Sequence, residues 1–180
     1  FGGAAEITRR WETNMKIYVG GVKKPLLINE LYKVIYEVNE LASTGFMMSV
    51  VEDSSQSNYY LYLGSGKEYG ILFPSSQSQI NSNLGLFNIN WDSQNNLFKG
   101  RMYVDIYKPD EYAQQHLLRE ELTQSLGLGK DSYKYPESIF QQNWTLTTEY
   151  AEIDNELIRL LYYPSLYSGM TDVEVEEAIT

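Results

Sequence analysis

Apolar positions along residues 26–43 recur at intervals of three and four: Leu27, Leu31, Val34, Val38 and Leu41. On a helix with 3.6 residues per turn this spacing gathers them on one face, so the segment predicts an amphipathic helix. Pro25 suits its first turn, where an amide would have no partner, and Gly45 suits its end. A short β-like run, residues 16–19, precedes it and is closed by Gly20 and Gly21. Residues 46–51 and 59–63 are rich in aromatic and branched side chains around a polar cluster at 53–57, and predict two strands. Residues 64–85, rich in Gly, Ser and Gln, predict a long excursion with a short strand at 70–73. Residues 86–91 and 98–107 flank the turn-forming run DSQNN and predict a hairpin. Within it Phe98, Met102, Val104 and Ile106 alternate, as inward positions, with Lys99, Arg101, Tyr103 and Asp105. Asp110 opens a second helix, residues 111–126, which Gly127 and Gly129 stop by adopting positive φ. A third helix spans 149–161 before Pro164, and Thr171 with Glu174 has capping-box spacing for a short terminal helix.

These elements predict an α+β fold, one domain over residues 1–180 with a C-terminal helical segment from about 149 to 180. Its sheet is expected to be mixed or mostly antiparallel and to pack against two major helices. A chain of this length buries roughly 70% of its unfolded surface, enough for a core without covalent staples.

Charge narrows the partners. With 24 acidic and 14 basic residues the net charge is -10, which repels phosphate backbones and disfavours nucleic acid. The absence of cysteine removes disulfides, thiolate metal sites and a thiol nucleophile. No apolar run approaches the ~20 residues of a membrane-spanning helix. The start FGGAAE, without Met, reads as the trimmed end of a precursor, and 16 Tyr with many Asn, Gln and Ser suit an exported chain. The expectation is a periplasmic, cell-surface or secreted protein, a bacterial lipoprotein among the options.

The chemistry concentrates on the second helix. Leu118, Leu122 and Leu126 share one side and should face the core, whereas His116, Glu120 and Gln124 form an i, i+4, i+8 row nearly opposite. Glu121 stands about a quarter turn from that row. An imidazole and a carboxylate four residues apart are a candidate pair for a divalent ion, and Asp131 is a further carboxylate nearby in sequence. A solvated helix face, with His116 as a surface residue, presents the same side chains. Adjacent Glu120 and Glu121 also invite acid/base chemistry if burial raises one pKa, although helix neighbours point about 100° apart. No serine lies in a GxSxG elbow, and Gly64-Ser65-Gly66-Lys67 lacks the spacing of a phosphate loop.

The run EELTQSLG, from Glu120 to Gly127, resembles the active helix of zincin metallopeptidases, in which His-Glu-x-x-His sets two imidazoles on zinc and the glutamate as general base. By that resemblance Glu121 takes the general-base place, while Glu120 and Gln124 stand where the histidine ligands belong. The elongated zincin pattern would place another ligand at Lys130, and Asp131 is one position late. More narrowly, residues 116–140 and 160–179 resemble uncharacterised bacterial exported or lipoprotein domains with an EELTQ-LGL-DS-SIF signature. The resemblance implies a zincin-like architecture with a degenerate motif.

Three functions follow from these residues. The first-ranked is a non-catalytic or activity-impaired envelope domain that binds a peptide, a glycan or a partner protein, with Gln124, Tyr133 and Tyr135 at the binding cleft. A structural cell-surface module is the second. The third is a metal-dependent hydrolase with Glu121 as catalytic base and His116, Glu120 and Asp131 as candidate ligands to an ion such as zinc; the first two need no cofactor. Tyr133, Tyr135, Pro136, Ile139 and Phe140 equally suit a loop packed onto the body.

Overall fold

The computed structural model describes residues 7–80 and 82–180, so the N-terminal FGGAAE lies outside the described residues. Six strands form one sheet: β1 (Arg10–Trp11), β2 (Met15–Gly21), β3 (Met48–Val51), β4 (Tyr59–Gly64), β5 (Gly85–Trp91) and β6 (Asn96–Asp105). The helices are α1 (Pro25–Leu41), α2 (Gly66–Leu72), α3 (Gln77–Ile80), α4 (Glu111–Gln124), α5 (Glu152–Leu161) and α6 (Asp172–Ile179).

The sheet runs β1-β6-β4-β2-β3, with β5 on β6 as the edge opposite β3. Among the described strands only the β5/β6 pairing is antiparallel; β1/β6, β4/β6, β2/β4 and β2/β3 are parallel. The sheet is therefore mixed, and the expectation of a mostly antiparallel one is corrected. The reason lies in the connections: α1 is a crossover that brings β3 back parallel to β2, whereas α2 and α3 deliver the chain into β5 running the opposite way, and the turn from β5 to β6 restores the direction of β4.

Both sheet faces are covered. On one, Leu27, Leu31, Val34 and Val38 of α1, Leu118 and Leu122 of α4, Leu126 just after α4 and Ile158 of α5 are fully buried with Ile17, Leu61, Met102 and Val104. The leucine face of the second helix thus turns inward as its spacing requires. On the other face Tyr62 and Tyr103 pack with Tyr69 of α2 and Ile80 of α3. This second layer corrects the single inside/outside alternation along β6: Tyr103 is buried, whereas Phe98 is exposed.

The strand expected at 70–73 is part of a helix. Ser65 Oγ accepts from the Glu68 amide at 3.2 Å and Glu68 Oε2 accepts from the Ser65 amide at 2.8 Å, a capping box that starts α2. The same device opens α6 at Thr171 and Glu174. α1 ends at Leu41 with Ala42 extended, so Gly45, at φ +82°, serves the following turn and not the helix end. After α4, Gly127 takes φ +124°, and a Cβ there would lie 1.9 Å from the Arg9 carbonyl oxygen. Gly129 does not adopt the positive φ expected of it. Trp11 Nε1 donates to the Ser125 carbonyl at 2.9 Å, pinning the first strand to the end of α4.

Candidate functional site

α4 is held from three sides. Its N-cap, Asp110, accepts from the Ala113 amide at 2.9 Å, and its leucines sit in the core. Arg119, fully buried, donates through Nε to Glu30 Oε1 at 2.7 Å, pairs with Glu37, and stacks 4.4 Å from the Tyr150 ring centre. An unpaired buried guanidinium would be costly, so these α1 carboxylates fix the rotation of α4 about its axis.

That rotation sends His116, Glu120 and Gln124 under the segment that follows α4. The polar row is not a solvated face: His116 and Gln124 are buried, and Glu120 and Glu121 are partly buried. The covering segment is fastened by Asp154, which is fully buried and accepts from the Ile139 amide at 3.0 Å and the Ala151 amide at 2.9 Å. Ile139 and Phe140 pack inward, whereas Tyr133 is exposed at the surface and Tyr135 is half-buried beneath Lys134.

Within this enclosure His116 Nδ1 lies 2.7 Å from the Thr147 carbonyl oxygen. A carbonyl only accepts, so Nδ1 carries the hydrogen and Nε2 is the atom that meets Glu120 Oε2, at 3.4 Å. Trp144 stands edge-on to the imidazole, with ring centres 5.3 Å apart. One helical turn on, Gln124 Nε2 donates to Asp131 Oδ1 at 2.7 Å. The structure therefore joins His116 to Glu120 and Gln124 to Asp131, and no hydrogen bond or ring contact among the described residues ties Tyr133 or Tyr135 to either pair. Asp131 thus spends one oxygen on the Gln124 side-chain amide.

Glu121 points elsewhere, toward the edge strand. Gly85 of β5 leaves room for it: a Cβ at that glycine would come within 3.1 Å of Glu121 Cγ and Oε1. Burial pushes its carboxyl up to about 8, the negative charges of Glu120 and Asp131 push the same way, and a hydrogen bond from the Phe87 backbone opposes them. Burial and Glu120 also raise Asp131, against the Gln124 hydrogen bond. The shift favours the protonated, neutral form of Glu121 near neutral pH.

A catalytic zinc needs three protein ligands, most often with at least two imidazoles, and an open fourth position. One imidazole is present here, and the amide nitrogen of Gln124 is turned to Asp131. Among the described residues no group of three or more His, Asp or Glu is placed to hold a metal ion. The donor set does not fit the zinc of a zincin. Sequence reasoning missed Gly85 and Phe87, Thr147 and Trp144, and the Arg119 clamp; only the capping and leucine patterns of α4 were legible without knowing which loop covers it.

A family model described as protein of unknown function, DUF2927, matches residues 2–180. No curated protein matches the chain. Among solved structures, a crystal structure of myroilysin superposes with a TM-score of 0.50 at 9% identity, covering 88% of this chain and 86% of that one. A second structure of myroilysin gives a TM-score of 0.47 at 9% identity over 86% and 82%. The first likeness is one of fold alone.

Proposed function

This chain belongs to the DUF2927 family, and from its peptidase-like fold we propose that it is a non-catalytic domain of the bacterial cell envelope that binds an extended peptide segment of a partner protein. The observation that carries this reading is the junction of α4 with β5. Among the described residues β5 pairs with β6 alone, and a strand edge is a template for a further extended chain. Glu121, held as a neutral acid beside Gly85 and Phe87, gives that edge a hydrogen-bond donor as well as an acceptor. Exposed Trp91 at the end of β5 and Trp144 over His116 offer broad faces for side chains of the bound segment.

The hydrolase reading is weaker for two physical reasons. The zincin ligand places are occupied by Glu120 and Gln124, which are engaged with His116 and Asp131. Among the described residues there is also no group of three His, Asp or Glu placed to hold the metal ion that such a hydrolase needs.

The test is a screen of metal-stripped protein against random twelve-residue peptides, followed by titration of hits into wild type and Glu121→Gln, with amide shifts read along β5. Saturable binding that perturbs Gly85–Trp91 and weakens in the variant is expected, with no cleavage above the variant's background when zinc is restored. Stoichiometric zinc and cleavage lost in Glu121→Gln would overturn the reading in favour of a metallopeptidase. Absence of any saturable peptide would leave the structural-module reading standing in its place.

A further inference from the structure

On the sheet face opposite α4 lies a pocket of about 270 Å³ whose lining includes Tyr60, Phe73, Asn90, Lys99 and Arg101. Strand register places these groups together. Lys99 is the cross-strand partner of Asn90, and Arg101 is flanked by Asn88 on β5 and Tyr60 on β4. Gly100 and Met102, between and beyond the two cations, turn to the main core side, so Lys99 and Arg101 share the outer face.

Two observations mark these cations as unspent. Lys99 is exposed and makes no ion pair among the described residues, and Arg101 makes none either. Arg101 Nη2 donates to Ser75 Oγ at 2.9 Å and Ser76 Oγ at 3.3 Å, its guanidinium lies 4.9 Å from the Phe73 ring centre, and its buried Nε has no hydrogen-bond partner. In a chain with ten more acidic than basic residues, 24 against 14, two neighbouring cations without a carboxylate of their own are set for an anion from outside.

Size and lining narrow the anion. Pockets for drug-sized ligands run from about 300 to 1,000 Å³, so this one takes a single ring. Tyr60 and Phe73, with ring centres 5.4 Å apart and tilted by 71°, supply apolar faces. The amide of Asn90 and the hydroxyl of Ser54, both exposed in the pocket lining, are hydrogen-bonding groups that ring hydroxyls can engage and an aromatic ring cannot. Asn58 contributes little, since its side chain is committed to the Lys16 amide at 2.7 Å and the Asn14 carbonyl at 2.9 Å.

We propose that this pocket binds an acidic sugar, its carboxylate between Lys99 and Arg101 and its ring against Tyr60 and Phe73. The site is separate from the peptide edge and does not rest on that reading.

Calorimetric titrations with galacturonate, galactose, benzoate, inorganic phosphate and trigalacturonate test it. Galacturonate is expected to bind saturably, galactose and phosphate at least tenfold more weakly, and benzoate more weakly than galacturonate. Lys99→Gln, at an exposed position, and Arg101→Met, which keeps an apolar stem on Phe73, should each weaken galacturonate tenfold or more, with unfolding midpoints confirming that both variants are folded. Glu121→Gln should leave it unchanged, which separates failure here from failure at the peptide edge. A trimer that binds more tightly than the monomer identifies a polysaccharide end as the source, and equal affinity identifies the free sugar acid. Galactose or phosphate binding as well as galacturonate, a preference for benzoate, no saturable binding of galacturonate, or indifference to both cation variants overturns the proposal.

Discussion

Replacing Glu121 by glutamine should convert a pH-dependent stability into a flat one at this site. In the folded chain the carboxyl is pushed up from an ordinary 4.5 to about 8, chiefly by burial. The folded state therefore holds a proton that the unfolded chain releases. The stability tied to that proton is fully present below about pH 4.5 and is lost as pH rises through about 8. At about 1.4 kcal/mol per pH unit, the interval bounds the loss at about 5 kcal/mol. Because Glu121 is only partly buried, water relaxes some of this, and about 2–4 kcal/mol is the expected size. Glutamine has nearly the same shape and no proton to lose. Urea unfolding of both proteins from about pH 5 to about pH 9, at constant ionic strength with chelator present, should give similar stabilities at the acid end. The variant should become progressively the more stable toward the alkaline end, with unchanged m-values. A difference that stays constant with pH, or shrinks as pH rises, would refute the placement of a partly buried neutral acid against β5.

Two other substitutions probe the scaffold that sets this site. Arg119→Met leaves Glu30, only 4% exposed, without its guanidinium, and should cost about 3–5 kcal/mol in chemical unfolding, part of it recovered by adding Glu30→Gln; an effect below about 1 kcal/mol would show that α4 is not held by this pair. Gly127→Ala forces a side chain onto a residue at φ +124° and against the Arg9 carbonyl, so strain of about 1–3 kcal/mol and displacement of β1 should lower the urea midpoint; a neutral result would mean that the chain crosses the end of α4 differently.

Local periodicity decided much of this protein. The spacing of Leu27 to Leu41 and of Leu118, Leu122 and Leu126 fixed which faces of α1 and α4 turn inward, because one helical turn links residues three or four apart whatever surrounds them. Capping groups at Asp110 and Thr171 set helix starts for the same local reason. A box of the same kind at Ser65 and Glu68 was equally present in the chain, yet the glycines and serines around it read as loop. Strand direction was not local. Whether neighbouring strands run parallel depends on where α1, α2 and α3 carry the chain, which no strand's own residues encode. The site was least legible for that reason. The sequence places His116, Glu120 and Gln124 in a row on one face, but only the packed fold lays the segment carrying Asp131, Trp144 and Thr147 over that row, and only the β5 edge brings Gly85 and Phe87 to Glu121. Burial by distant segments turns a polar helix face into an enclosed set of carboxylates, and burial is a property of the assembled chain.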